Sequence, residues 1–242
     1  MNVFVLKDEA AIGKVVGDLF CDKVLQKPNA VLGLATGATP LPTYQRMAKR
    51  CKAREVSFKG VTTFNLDEYC DLPVEHPNSY RSFMRAELFD NIDIDLQNTH
   101  FLDGNTADEF AQCAAFDALI EEKGGIDLQL LGIGRNGHIG FNEPANAFTD
   151  GTFKVELTPS TIAANSIYFT DVPMPRYAMT MGVGSILRAK EIVLVATGSA
   201  KAEAVKAMVE GAIDPQCPAS ALQKHENVAI YLDPAAAALL SR

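Results

Sequence analysis

The 242-residue sequence lacks any uninterrupted apolar run near the roughly 18 residues that a membrane-spanning helix requires. Its opening, Met1-Asn2-Val3-Phe4-Val5-Leu6-Lys7-Asp8, is too short and too soon charged for a secretory signal, so the expected location is the cytoplasm, with no membrane contact. Cysteine is sparse and unpatterned: the five, Cys21, Cys51, Cys70, Cys113 and Cys217, are odd in number and never spaced C-x-x-C. That spacing argues against a disulfide framework and a structural metal, and leaves scattered reduced thiols. Basic residues are not in excess either. With 22 Lys and Arg against 30 Asp and Glu the formal charge is −8, which disfavours nonspecific attachment to nucleic acid or anionic lipid. A phosphorylated ligand would need donors aimed locally. No linker, repeat or low-complexity tract interrupts the chain, and its length suits one large α/β unit over 1–242.

What is present is apolar material in a regular order. At 48% hydrophobic residues the chain can bury a sizeable core. Residues 3–6 suit a short strand, and Ile12, Val15, Val16, Leu19, Phe20 and Val24 then recur at helical spacing. Apolar runs of strand length follow at 30–35, 61–66, 126–131, 191–196 and 228–232. Between them, helical patterns cover 41–52, 79–89, 107–122 and 200–210, the last closed by Gly211 where a helix C-terminus favours glycine. Buried strands alternating with amphipathic helices predict an open, mostly parallel sheet with helices on both faces. The Ala-rich tail after Pro234 reads as a terminal helix. The stretch 145–176 is less periodic and holds Pro159, Pro173 and Pro175, so a lid-like excursion over a ligand site is expected there.

Four unusual clusters directly follow predicted strands: Thr36-Gly37-Ala38-Thr39-Pro40, Asp67-Glu68, the loop 132–143, and residues 197–201. In an open parallel sheet, loops at the carboxyl ends of strands share one edge and form the ligand crevice. The first cluster is a small-residue turn feeding a helix N-terminus, whose free amides and positive dipole end suit an anion. Thr36, Gly37, Ala38 and Thr39 are therefore candidate phosphate contacts, and the absence of a following Gly-Lys-Ser/Thr excludes a Walker A loop. Lys201, at a helix start, can add a point charge to the same phosphate.

Gly132-Ile133-Gly134-Arg135-Asn136-Gly137 matches G-x-G-x-x-G. His138-Ile139-Gly140-Phe141-Asn142-Glu143-Pro144 follows where a dinucleotide fold would continue into helix, which argues against a nicotinamide cofactor. The glycines, Gly137 among them, instead let the backbone approach a ligand while His138 projects into the crevice. A histidine switches protonation near neutrality, and a carboxylate such as Glu143 on its second ring nitrogen fixes the tautomer. Zinc finds no support, because no second His stands at helical spacing and no Cys is close. Taken singly, the Thr36 turn, a capping Asp67, a core His138 and a solvated Lys201 all have ordinary structural readings. Taken together, Asp67 reads as a general base for carbon-acid chemistry on a sugar phosphate.

These stretches resemble the glucosamine-6-phosphate deaminase (isomerase) family. The resemblance runs through nearly the whole chain, carried in order by Leu34-Ala35-Thr36-Gly37-Ala38-Thr39-Pro40, Asn65-Leu66-Asp67-Glu68-Tyr69, His76-Pro77-Asn78-Ser79-Tyr80, the run from Gly134 to Pro144, and Met179-Thr180-Met181-Gly182-Val183-Gly184. It implies a Rossmann-like α/β fold and the conversion of glucosamine 6-phosphate and water into fructose 6-phosphate and ammonia. By position, His138 would move the proton that opens the pyranose ring, with Glu143 and Asn136 orienting it. Asp67 would take the C2 proton and return it to C1. The resemblance implies no cofactor and no metal, with a small amino-sugar phosphate as the partner; monomer and homo-oligomer both stay open.

Two departures bear on the site. Many deaminases hold the substrate phosphate with an Arg in the lid-like segment, where this chain has Ile167, so phosphate contacts are expected to be weaker or rearranged. Regulated hexameric members bind N-acetylglucosamine 6-phosphate with basic residues soon after Asn-Glu-Pro; here Phe153 and Val155 flank a single Lys154, so that activation is not expected. Galactosamine-6-phosphate deaminases share the Ala-Thr-Gly-Ala-Thr-Pro-Leu loop and lack the lid arginine, which keeps the galacto epimer open. A 6-phosphogluconolactonase would share the fold and a Gly-His loop, but Phe141-Asn142-Glu143-Pro144 resembles the deaminase. A sugar-phosphate-sensing regulator would carry an N-terminal DNA-binding helical module, whereas here a strand is predicted almost from Met1.

Overall fold

The computed structural model of the protein describes residues 1–241. Its strands are β1 (Asn2–Val5), β2 (Val31–Leu34), β3 (Thr62–Asn65), β4 (Asp67–Tyr69), β5 (Thr99–His100), β6 (Leu128–Leu131), β7 (Phe153–Glu156), β8 (Tyr177–Thr180), β9 (Ile192–Ala196) and β10 (Val228–Leu232). Its α-helices are α1 (Glu9–Gln26), α2 (Leu41–Lys52), α3 (Tyr80–Glu87), α4 (Glu109–Glu122), α5 (Pro159–Asn165), α6 (Val183–Leu187) and α7 (Ala202–Glu210). The main sheet runs β1-β10-β9-β6-β2-β3-β5 with parallel pairing throughout. A second, antiparallel sheet runs β4-β8-β7.

The continuous apolar runs are explained by burial on both faces. Along β9, Ile192, Leu194 and Ala196 face a core shared with Phe116 of α4 and Val205 and Met208 of α7. Val193 and Val195 face the opposite core, built with Ile12, Val16 and Phe20 of α1 and Tyr44 and Met47 of α2. Burying a side chain the size of Phe20 or Leu32 contributes about 1.5–3 kcal/mol, and both are 0% exposed. Helices α1 and α2 pack at a distance that glycine permits: a Cβ on Gly13 would stand 2.2 Å from Pro42 Cβ.

The amino ends of β2, β6 and β9 are tied by one buried carboxylate. Asp127 accepts from Lys27 at 2.7 Å, Lys190 at 2.8 Å and the Val31 amide at 2.8 Å. Charge-assisted bonds from both lysines justify burying this group, since an unpaired carboxylate there would be costly.

From β2 the chain steps outward through β3 to β5, then returns to β6 on the other side of β2 and steps outward through β9 to β10. The crevice forms where that order reverses, at the carboxyl ends of β2 and β6.

Several expectations are corrected. The tail after Pro234 is a run of turns and not a helix. Ala237 makes one helical bond to Asp233, after which the Ser241 amide turns to Glu210 at 2.5 Å; so short a segment does not recover the cost of helix nucleation. Asp67 and Glu68 are not a loop, because they begin β4 and pair with β8. The aperiodic stretch 145–176 contains β7 and α5, and β7 is held by pairing with β8. Val15 lies outside the buried stripe of α1 at 39% exposure. Lys201 closes a 3-10 turn, and α7 starts one residue later.

Candidate active site

The four clusters follow β9, β6, β2 and β3, which are consecutive in the sheet, so they meet along one edge. After β2, Gly37 takes φ +96°, a conformation open to glycine, and turns the chain into α2. Pro40 caps α2 without a side-chain acceptor for the first-turn amides, which leaves the Thr36–Thr39 turn with a positive helix end behind it.

After β9, Lys201 is half-buried at the start of α7. Burial lowers its pKa, and the charge of Arg135 lowers it further. Among the described residues neither cation has a carboxylate partner within salt-bridge distance. Two neighbouring cations without a counter-charge make an environment suited to an anion. Arg135 is a functional candidate that motif reading passed over, although it is the one basic residue between Gly132 and Pro144 apart from His138.

The loop after β6 folds around the imidazole. A Cβ on Gly134 would lie 2.3 Å from the His138 ring, and Gly137 adopts φ +84° against Cys217. The Asn136 side chain bridges the loop: its Oδ1 accepts the His138 amide at 3.3 Å and its Nδ2 donates to Glu143 Oε2 at 2.6 Å. Glu143 Oε1 accepts the Thr161 hydroxyl at 2.6 Å and stands 3.5 Å from His138 Nδ1. Burial alone would raise the Glu143 pKa, but His138, Thr161 and Asn136 outweigh it and hold the group at about 2. Glu143 is therefore a fixed negative charge behind the imidazole.

Asp67 opens β4 opposite Thr180 of β8 and is only 7% exposed. Burial pushes its pKa up to about 8, with the charge of Glu68 adding to the effect. Glu68 is committed elsewhere. Its carboxylate accepts the amides of Tyr69 and Tyr80 at 2.9 Å and of Arg81 at 3.0 Å, anchoring the start of α3. The acidic pair thus divides into a free group and a structural one.

Thr180 also links the two sheets. Its hydroxyl accepts the Phe141 amide at 3.1 Å, and a Cβ on Gly140 would lie 3.5 Å from Asp67 Oδ2. Asn142 adds bonds to the carbonyls of Ile139 at 2.9 Å and Met181 at 2.8 Å. The arrangement brings Asp67 beside the His138 loop. The His76-Pro77-Asn78-Ser79-Tyr80 motif fastens the excursion: His76 Nε2 lies 3.2 Å from Asp171, its ring stacks on Phe169, and Asn78 donates to the Tyr168 carbonyl at 2.6 Å. Ile167 is 70% exposed. Thr161 is a second residue that sequence reading missed, because its contact with Glu143 crosses 18 positions.

Among the described residues no group of three His, Cys, Asp or Glu side chains could hold a metal ion, and no helix is long and apolar enough to cross a membrane.

Fold and site together describe an α/β protein that gathers a histidine–glutamate pair, a nearly buried carboxyl and two neighbouring cations at one sheet edge. Residues 10–231 match the model of the glucosamine-6-phosphate isomerase/6-phosphogluconolactonase family, to which the chain belongs. A glucosamine-6-phosphate deaminase of Shewanella loihica is 49% identical over 242 residues, covering 100% of this chain and 90% of that one. One of Rhodopirellula baltica is 51% identical over 237 residues, covering 97% and 93%. A solved monomeric glucosamine-6-phosphate deaminase superposes with a TM-score of 0.95 at 41% identity, covering 99% of this chain and 100% of that one. The 6-phosphogluconolactonase of Trypanosoma brucei, at TM-score 0.73 and 18% identity over 99% and 98% of the chains, shares the fold alone.

Proposed function

We propose that the protein catalyses the isomerising deamination of glucosamine 6-phosphate to fructose 6-phosphate and ammonia. The observation that carries this reading is Asp67, a nearly buried carboxyl whose pKa of about 8 lies close to a working pH, beside the loop that presents His138 with its fixed Glu143 charge. The phosphate is taken up by the Thr36–Thr39 turn, Gly137, Lys201 and Arg135. His138 carries the proton of the anomeric hydroxyl to the ring oxygen as the C1–O5 bond breaks, and Glu143, anchored by Asn136, keeps a fixed negative charge behind its ring. In the open aldehyde, Asp67 removes the C2 proton as O1 takes a proton from the C2 ammonium of the substrate, giving a neutral enolamine. Asp67 then delivers its proton to C1, leaving a ketose iminium at C2. Water adds to C2 and ammonia departs.

The full-length likeness to glucosamine-6-phosphate deaminases supports the gluco substrate. The test is ammonia release from glucosamine 6-phosphate and galactosamine 6-phosphate, with 6-phosphogluconolactone hydrolysis followed in parallel. The gluco epimer should show the largest kcat/KM. A large advantage for the galacto epimer would overturn the substrate assignment and keep the proton chemistry, whereas lactone hydrolysis without ammonia release would overturn both.

A further inference from the structure

Glu143 has two carboxylate oxygens and three neighbours that use them. Oε2 is taken by Asn136 at 2.6 Å, while Oε1 accepts Thr161 at 2.6 Å and faces His138 Nδ1 at 3.5 Å. The Nδ1 atom is itself buried and has no hydrogen-bond partner among the described residues. Buried ring nitrogens ordinarily find one; here Glu143 Oε1 stands 3.5 Å away, held by the Thr161 hydroxyl. That anchor does not belong to the His138 loop. Thr161 sits on α5 in the stretch between β7 and β8, and the far end of that stretch is fastened by His76 and Asn78. Its residue is 8% exposed, and its hydroxyl also accepts a 3.0 Å bond from Thr158, the N-cap of the same helix. Thr161 is therefore oriented from both sides.

We infer that Thr161 is a positioning residue that shares Glu143 Oε1 with His138, so that the placement of α5 sets how closely the imidazole is held during ring opening. This inference rests on the deaminase reading. With Thr161 donating, Glu143 is fixed by two side-chain donors and His138 keeps the freedom to swing between the anomeric hydroxyl and the ring oxygen. Without it, the carboxylate loses the anchor that holds Oε1 away from the ring, and Oε1 and Nδ1–H close to a charge-assisted bond of about 2.8 Å.

The test compares Thr161→Val, which keeps the branched shape and loses the hydroxyl, with Thr161→Ser, which keeps the hydroxyl. In the Val variant the Nδ1–H proton resonance of His138 should move downfield as the bond to Glu143 shortens. Its kcat should fall about tenfold with KM changed less than about twofold. The Ser variant should match the parent in both. Thr161→Ala, a smaller change to the helix, should move both readouts in the same direction as Val, which covers the case of a Val variant that does not fold. A Val or Ala variant with parental resonance and parental kcat overturns the inference, as does a Ser variant that behaves like Val. Ammonia release by the parent is assayed alongside: its absence refutes the deaminase reading, while the resonance still decides whether Thr161 holds the His138–Glu143 spacing.

Discussion

Replacing Asp67 with Asn keeps the side chain's shape and removes its charge, which separates what this group costs the fold from what it does for the reaction. In the folded chain, burial and then Glu68 raise the Asp67 pKa to about 8 from 3.8. No donor among the described residues is hydrogen-bonded to it to offset that burial. A raised folded-state pKa means that the folded chain binds more protons than the unfolded one between about pH 4 and pH 8, so this group's contribution to stability declines as pH rises through that window and levels off above it. A pKa raised from 3.8 to about 8 corresponds to a cost of at most about 5 kcal/mol at pH 8.5, at about 1.36 kcal/mol for each tenfold. The neutral amide of the variant carries no such cost. For a chain of this length, Asp67→Asn should then melt above the parent at pH 8.5, by at most about 10–20 °C, with the gap falling to about a third of its value at pH 5. Scanning calorimetry at the two pH values measures it. The same variant should lose about 10²–10⁴ in the rate of ammonia release while retaining substrate binding. In the parent, kcat/KM should climb with pH up to about 8, as the base loses its proton. A melting gap that does not change with pH, or near-normal turnover in the variant, would refute the reasoning.

Lys201→Ala should raise KM by at least about tenfold, equivalent to about 1.4 kcal/mol, and weaken competitive inhibition by inorganic phosphate with little change in kcat. Arg135→Ala should act in the same direction; unaltered phosphate inhibition in both would remove them from the anion site. His138→Gln should slow the cyclic amino sugar far more than C2 proton exchange in an analogue that cannot cyclise, and equal losses would contradict the division between ring opening and isomerisation. Asp127→Asn should destabilise the fold by about 2 kcal/mol at neutral pH by weakening the bonds to Lys27 and Lys190. Despite the opposing effect of burial, those lysines hold the Asp127 pKa below 3.8. The parent's advantage should therefore persist down to about pH 4 and vanish as pH falls through that lowered value, as followed by denaturant melts.

The parallel sheet was legible because its strands are buried on both faces and its helices on one stripe, so local period and run length carry the information. The crevice was legible for a related reason: Gly37, Asp67, His138 and Lys201 all follow apolar runs. What stayed hidden depends on pairing over distance. Strand β4 is three residues with two carboxylates, and only its partner β8 makes Asp67-Glu68-Tyr69 a strand. Phe153-Lys154-Val155-Glu156 alternates as a strand should, but it precedes a proline-containing stretch that masked the signal. The separate fates of Asp67 and Glu68 turn on three amide donors, two of them at the start of α3, twelve and thirteen positions beyond Glu68. Alanine content favoured a helix after Pro234, where the chain end and the pull of Glu210 decide otherwise.

The division of the site between two sheets sets its mechanical tolerance. Asp67 is mounted on the small antiparallel sheet, while His138, Arg135 and Lys201 follow strands of the large parallel one. Thr180 and Asn142 act as rivets between the mounts, each bonded across the seam. A slip of the small sheet moves Asp67 and, through the seam and α5, the surroundings of His138, and leaves the spacing of Arg135 and Lys201 on the large sheet as it is. On the proposed mechanism, the spacing of the phosphate cations and the distance over which the substrate's proton travels are then separately adjustable, and substitutions along the seam alter the second.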